Sequence, residues 1–220
     1  MYKEDGAKAP SFSLPKTFSE IKELPLQFLG AVTIIFSLRL GRGNSMQVLR
    51  HFKTITHHKW LVLQGCFRVG LYWQGLTHDL SKYSPTEFFA GVKYYQEGKR
   101  SPIGPEKMDK GYSEAWLHHK GRNKHHFEYW TDYSPVTRVM SPVKMPLKYV
   151  KEMFCDRVAA SKIYMGKDYT DASSLEYFMR AKGKRIIHPE TSQLLESLLV
   201  MLKEQGEEKT FDYLRNMKEY

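Results

Sequence analysis

Apolar side chains recur at helical spacing from residue 46 onwards. The first stripe runs through Val48, Phe52, Ile55, Val62, Cys66 and Val69. Steps of three, four and seven residues place these side chains on one face of an α-helix, so the segment predicts an amphipathic helix with one buried side. No alternation of the β-strand type and no internal repeat interrupts this character later in the chain. The pattern predicts an all-α protein.

Proline, glycine and capping residues divide this helical pattern into elements. The sequence Ser84-Pro85-Thr86-Glu87 is a capping box with proline at the first helical position, and it predicts a helix to about Tyr95. The stretch 98–111 is rich in Gly, Pro and Lys, which predicts a loop. Further helices are predicted over about 113–130, from Pro146 to about Tyr164, and from Pro189 to a stop at Gly206, with a loop over 131–145 and a short helix at the end.

The first 45 residues differ in character from the rest. Residues 1 to about 15 are polar, and the apolar run from Leu24 to Leu40 is broken by Pro25 and Gly30. Because a bilayer span needs about 20 apolar residues, we expect no stable membrane span here. The chain is therefore predicted to consist of a poorly structured N-terminal extension, 1–45, and a single helical domain, 46–220. The abrupt change also suggests that Met46 is the natural start.

Composition restricts the class of partner. The 220-residue chain has a net charge of +10, which favours an anionic partner such as a nucleotide, a phosphoester, a nucleic acid or a lipid headgroup. The two cysteines, Cys66 and Cys155, are far apart and form no Cys-x-x-Cys, which excludes a zinc ribbon or a dithiol redox site. Both are expected to be buried free thiols in a reducing, cytoplasmic environment.

Eight of the nine histidines lie between residues 51 and 126, and imidazole is the commonest protein ligand of transition metals. His58 interrupts the apolar stripe of the first helix, which fits a metal ligand or a histidine that is hydrogen-bonded in the core. His51 lies on the same face seven residues earlier and is the alternative first ligand. His78-Asp79 can ligate one ion together if the backbone directs both side chains to one point, and Lys82 lies one helical turn further. Capping of a helix end is the alternative for this pair.

The segment 118–126 carries four of the histidines. On a continuous helix, His119, Asn123 and His126 share a face, and His118 and His125 form a second pair rotated by about 100°. We favour the first set, with His125 as an alternative to His126. The two histidines would lie about 10 Å apart along the helix axis, so binding one ion would require a bend at Gly121. A solvated basic helix that binds anions is the alternative.

Asp156 is placed among apolar helical neighbours. An ionised carboxylate in such surroundings needs a cation or strong hydrogen bonds. A metal ion meets this need, and so does an ordinary salt bridge. The succession of a histidine, a His-Asp pair, a histidine cluster and an aspartate along the chain is more specific than any one of them.

In this order of residues the chain resembles the HD-domain superfamily of metal-dependent phosphohydrolases. His58, His78, Asp79 and Asp156 match the order of its ligands, and His78-Asp79-Leu80-Ser81-Lys82 resembles a His-Asp-x-x-Lys variant of its motif. Two-metal members have further histidines between the pair and the last aspartate. The resemblance implies a helical bundle of HD-domain type.

The chain also resembles a family from bacteria and their phages for which no activity is implied. The matching pieces, between about Met46 and Leu202, are His58-Lys59, His78-Asp79-Leu80-Ser81-Lys82, Ala115-Trp116-Leu117-His118-His119, Arg122-Asn123-Lys124-His125-His126, Trp130, Glu152-Met153 with Asp156, and His188-Pro189-Glu190-Thr191.

Together these features predict a hydrolase of a nucleotide or another small phosphoester. We expect one or two ions of the Mn, Fe, Co or Zn class, held by His58, His78, Asp79, His119, His126 and Asp156. Asp79 would also orient the attacking water, Lys82 with Arg122 or Lys120 would neutralise the phosphoryl group, and Asn123 would fix a ligand or the substrate. The alternatives are a di-iron HD-type oxygenase and a non-catalytic module that binds nucleic acid or phosphate.

Overall fold

The computed structural model describes residues 45–220, and most of these residues are helical. The expectations for the N-terminal extension fall on residues 1–44, which lie outside this range. The helices are α1 (Ser45–Arg68), α2 (Tyr72–Thr77), α3 (Pro85–Lys93), α4 (Ile103–Lys110), α5 (Glu114–Lys120), α6 (Leu147–Met165), α7 (Ser173–Arg180) and α8 (Pro189–Asn216). Short 3-10 helices span Leu80–Tyr83, Phe127–Tyr129 and Gly166–Asp168, and two strands, β1 (Thr131–Tyr133) and β2 (Met140–Pro142), pair antiparallel.

The hydrophobic core lies where α6 packs against α7 and α8, with α1 alongside. Its fully buried side chains include Val62, Cys66, Val150, Phe154, Phe178, Leu195, Leu198, Leu199, Leu202 and Leu214. The backbone of α8 kinks at Gly206, whose φ of 80° and ψ of 173° are not helical. The predicted stop at Gly206 and the short helix after it are therefore confirmed.

Several predicted helix starts are also confirmed. Ser84 accepts a hydrogen bond at Oγ from the backbone N–H of Glu87, and Pro85 is the first residue of α3. Pro189 begins α8, and α6 starts one residue after Pro146. The pattern thus correctly predicts the helices whose start is marked by a serine or proline at the helix end itself.

Three predictions about the middle of the chain are wrong. The stretch 98–111 contains α4, which ends at Gly111 in the left-handed region (φ 78°). The stretch 131–145 contains the β1–β2 hairpin, with Thr131 opposite Pro142. The predicted helix over 113–130 ends at Lys120, because the Asn123 side chain donates a hydrogen bond to the carbonyl oxygen of His119 and closes the helix end.

Among the described residues, no helix combines the length and the apolar content that crossing a membrane requires.

Candidate metal centre

The turn between α2 and the following 3-10 helix directs His78 and Asp79 into the interior. Asp79 adopts φ 53° and ψ 27°, a left-handed conformation that is uncommon outside glycine but that aspartate tolerates better than most residues. Lys59 on α1 stabilises this turn, since its Nζ donates to the carbonyl oxygens of Leu76 at 2.7 Å and of His78 at 2.9 Å. As a result His78 and Asp79 are each only 2% exposed.

A first group of donor atoms comes from three parts of the chain. His58 on α1 places Nε2 2.9 Å from Oδ1 of Asp156 on α6 and 3.7 Å from Oδ2 of Asp79. Nε2 of His78 lies 3.2 Å from the same Asp79 oxygen and 3.6 Å from Asp156 Oδ1. The predicted convergence of these four residues is therefore present in the fold.

A second group gathers around the other oxygen of Asp79. Oδ1 of Asp79 lies 3.3 Å from Nε2 of His119 and 3.4 Å from Nε2 of His125. His126 joins them, with its Nε2 2.8 Å from that of His119. Because α5 ends at Lys120, the chain turns back and brings His119 and His126 together, which a straight helix would prevent. The sequence left open whether His125 or His126 belongs to the site, and in the structure both lie in this group.

The separations of these donor atoms suit a metal ion. Two ligands at about 2.1 Å from an ion lie about 3.0 Å apart at a right angle and about 3.4 Å apart at the tetrahedral angle. Each group offers one ligand atom per residue, all within 4.8 Å of one another. The Asp79 carboxylate belongs to both groups, one oxygen to each, so the two candidate ion positions share a ligand.

Unsatisfied polar atoms mark the same two positions. His58 Nε2, His78 Nε2, His125 Nε2 and Asp79 Oδ1 are buried and make no hydrogen bond of good geometry among the described residues. Asp79 Oδ2 makes none either, but the Lys82 ammonium lies 2.6 Å from it. Buried polar atoms are normally hydrogen-bonded, so the other four atoms around two points call for an explanation. Divalent cations at these points would satisfy all four, and the residues therefore fit a metal ion.

Two glutamates contact the histidine rings at their Nδ1 atoms. Glu152 on α6 places Oε1 2.9 Å from Nδ1 of His78 and 3.2 Å from Nδ1 of His125. Glu87 on α3 uses Oε1 for His118 at 2.6 Å and Oε2 for His119 at 2.7 Å. A carboxylate that accepts the Nδ1 proton leaves Nε2 free to ligate and raises its basicity. Glu152, His78 and His125 also form a third group of close donors, but this hydrogen bonding accounts for it.

The charges in the cluster are strongly coupled. Burial alone would raise the pKa of Asp79 and Asp156, but neighbouring imidazoles, together with Lys82 for Asp79, hold both well below their usual range. Burial would likewise lower the pKa of His78, yet Asp79, Asp156 and Glu152 raise it well above its ordinary value. Burial and Lys82 lower the pKa of His58 to about 4. The carboxylates therefore favour positive charge beside them.

The remaining predicted site residues are found in different surroundings. Lys82 Nζ lies 2.6 Å from Oδ2 of Asp79, and its side chain is 30% exposed. Asn123 donates to Ser81 Oγ at 2.8 Å as well as to the carbonyl oxygen of His119, so it helps to position this candidate ligand. Arg122 is exposed and donates to the carbonyl oxygen of His118 at 3.2 Å, and the structure does not bring it into the donor groups.

His51, the alternative first ligand, belongs to neither donor group. Its ring packs edge-on against Phe88 and Tyr95, with centroids 5.3 and 5.8 Å away. It also lies against Gly91, where an added Cβ would come within 2.2 Å of Nε2. Burial, together with Lys82, lowers the pKa of His51 to about 4, as suits a neutral histidine in apolar packing.

Sequence reasoning missed the contributions of Glu87 and Glu152 to this site and gave His125 only as an alternative to His126. Glu152 lies four residues before Asp156, so the two carboxylates share one face of α6, and this spacing was a usable signal. Glu87 was interpreted only as part of the capping box. Its backbone N–H does serve the cap, while its carboxylate contacts the histidines.

Comparison with known proteins yields one match. No curated protein and no solved structure matches the chain, so the resemblance to HD-domain enzymes rests on the order of the ligands alone. A family of unknown function, DUF5662, matches residues 47–201, a range that contains every donor of the cluster. The chain belongs to this family.

Proposed function

We propose that the protein is a metal-dependent phosphohydrolase that acts on a nucleotide or another small phosphorylated metabolite. The proposal is carried by the position of the Asp79 carboxylate, whose two oxygens face two groups of imidazoles that include the unpaired Nε2 atoms of His58, His78 and His125. His58, His78, Asp79 and Asp156 would hold one ion. Asp79, His119, His125 and His126 would hold a second.

A bound ion of the Mn, Fe, Co or Zn class would lower the pKa of a coordinated water and polarise a phosphoryl oxygen. The protein's own contribution is a rigid ligand set, because Glu152, Glu87 and Asn123 fix the rings before any ion arrives. Such preorganisation is the main way in which a protein tunes a metal site.

The side chains of the cluster differ in exposure. His78, His125 and Glu152 close one end, where their side chains are at most 7% exposed. Asp156 is 16% exposed and Lys82 is 30% exposed. We expect a phosphoryl group to approach from this more exposed part, where the Lys82 ammonium would offset the negative charge that grows on the phosphoryl oxygens during transfer.

The two alternatives are less well supported. A di-iron oxygenase could use the same donors, but the partly exposed Lys82 favours an anionic substrate, and redox-sensitive metal spectra would separate the two activities. A module that only binds nucleic acid through its charge would carry its basic side chains on the surface. It would have no need of histidines that are 1–7% exposed around a buried carboxylate.

Metal content and turnover test the proposal together. We expect protein purified without oxygen to contain one or two transition ions per chain and to hydrolyse phosphoesters from a substrate panel. Asp156→Asn and Asp156→Ala should each lose at least one ion and reduce turnover by more than about 100-fold, because ligand loss exceeds the 10- to 100-fold effect of outer-shell changes.

Asp212→Asn is the matched control, since Asp212 is exposed on α8 and belongs to no donor group. It should leave metal content and turnover unchanged. Full metal content in both Asp156 variants, or a wild-type protein that takes up none of the four metals, would contradict the proposal.

A further inference from the structure

An open pocket of about 420 Å³ lies where the start of α6 meets the end of α8. Four cationic side chains line it: Lys148 and Lys151 belong to α6, Arg215 to the last turn of α8, and Lys218 follows that helix. Within residues 45–220, the lining includes no carboxylate and no donor of the metal centre. The pocket is therefore a separate feature of positive character.

The four cations lack a close counter-ion. Among the described residues, none of them has a carboxylate oxygen within 4.0 Å. Lys151 is only 7% exposed, and its Nζ donates to the carbonyl oxygen of Met217 at 2.8 Å and lies 3.5 Å from that of Arg215. These carbonyl groups accept hydrogen bonds but do not neutralise the ammonium, and a buried charge without a counter-ion is unfavourable. An anion from outside the chain would supply the missing charge.

The start of α6 adds to the positive character of the pocket. Leu147 and Lys148 are the first two residues of the helix, and Pro146 before them makes no side-chain hydrogen bond to the helix end. The first turn contains no acidic residue. Because the N-terminal end of a helix carries a partial positive charge, a lysine in this turn is unfavourable unless an anion lies beside it.

The pocket also offers apolar surface, since Leu71, Leu147 and Met217 belong to its lining. Its volume lies within the range of about 300–1,000 Å³ that is usual for sites of small ligands. We propose that this pocket binds a small organic phosphate, with the phosphate group beside Lys151 and the carbon skeleton against the apolar side chains. The proposal does not depend on the hydrolase activity, because the two sites share no residue.

Calorimetric titration with phenyl phosphate and orthophosphate tests this proposal in chelator-treated protein, where no ion at the metal centre contributes. The combined variant Lys148→Gln/Arg215→Gln should weaken phenyl phosphate binding by at least about tenfold, because it removes two of the four charges. Both side chains are exposed, so this variant should fold. Unmodified protein should bind orthophosphate at least about threefold more weakly than phenyl phosphate, which adds apolar contact.

Lys203→Gln/Lys209→Gln is the matched control, because both lysines are exposed on α8 and lie outside the pocket. It removes the same net charge and should change phenyl phosphate affinity by less than about threefold. Lys151→Gln should lower the affinity at least as much as the combined variant, since Lys151 is the buried cation of the pocket. If this substitution prevents folding, the two combined variants still decide the question.

Three results would overturn the proposal. Equal losses in the two combined variants would show a response to overall charge alone, and equal affinities for the two probes would exclude an organic ligand. Binding that needs a metal ion and survives Lys148→Gln/Arg215→Gln would place the phosphate at the metal centre instead. Vesicles containing an anionic lipid test a different occupant: if the protein binds them only with Lys148 and Arg215 present and binds no phenyl phosphate, the surface faces a membrane.

Discussion

Helix α6 separates two regions that are built in different ways. One side of it carries Val150, Phe154 and Val158 into the apolar core against α8, where Leu195 and Leu199 are fully buried. The other side carries Glu152 and Asp156 into the histidine cluster. The apolar region consists of closely packed side chains, whereas the cluster contains buried nitrogen and oxygen atoms that make no hydrogen bond among the described residues. Burial of apolar surface in the core therefore offsets the cost of these unpaired polar atoms.

If this contrast holds, metal binding and folding stability should respond to different residues. The largest effect on metal binding is expected from Asp79→Asn, because Asp79 contributes to both donor groups. Asparagine tolerates the left-handed backbone but lacks the charge, so the fold should persist. Both ions should be lost and turnover should fall by more than about 100-fold, as metal analysis and phosphatase assays would show. Retention of both ions would remove Asp79 as the shared ligand.

An intermediate effect is expected when a supporting carboxylate is changed. Glu152→Gln should weaken metal affinity by about 10- to 100-fold at both positions, because Glu152 holds His78 of one group and His125 of the other. Glu87→Gln, which touches His118 and His119, should affect only the second position. Competition with a chelator measures both affinities, and identical profiles for the two variants would contradict this assignment.

The smallest effect on metal binding is expected from the apolar region. Leu199→Ala should lower the free energy of unfolding by about 2–5 kcal/mol, since Leu199 is fully buried and its loss leaves a cavity. The protein that remains folded should bind metal with unchanged stoichiometry. Urea unfolding followed by circular dichroism gives the first quantity and metal analysis the second. A parallel loss of metal would show that the two regions are not independent.

How well the sequence predicted each part depends on where the determining contacts lie. The starts of α3 and α8 depend on a serine or proline at the helix end itself. The convergence of His58, His78 and Asp79 was accessible because an apolar stripe fixes which way His58 points. These signals are local, and a single sequence contains them completely.

The errors arise where specific side-chain hydrogen bonds, rather than local propensity, determine the backbone structure. α4 contains Gly104 and Pro105, which indicate a loop, yet Glu106 in that helix is 1% exposed and accepts a hydrogen bond from Ser113 Oγ. The end of α5 depends on Asn123, whose side chain donates to the carbonyl oxygen of His119 and also to Ser81 Oγ, 42 residues earlier in the chain. Partners of this kind are chosen by the tertiary fold, and residue spacing alone does not reveal them.

Glu152 Oε1 contacts both His78 and His125, and this contact can form only late in folding. His78 and Glu152 are 74 residues apart, so the ring cannot be fixed until α6 has docked and closed a long loop. Secondary structure in α1 and α6 forms much earlier than this on the folding time course. Uptake of a coloured ion such as Co²⁺ during refolding would therefore follow the docking of α6. The absorbance of the bound ion would then report the rate of this last folding step.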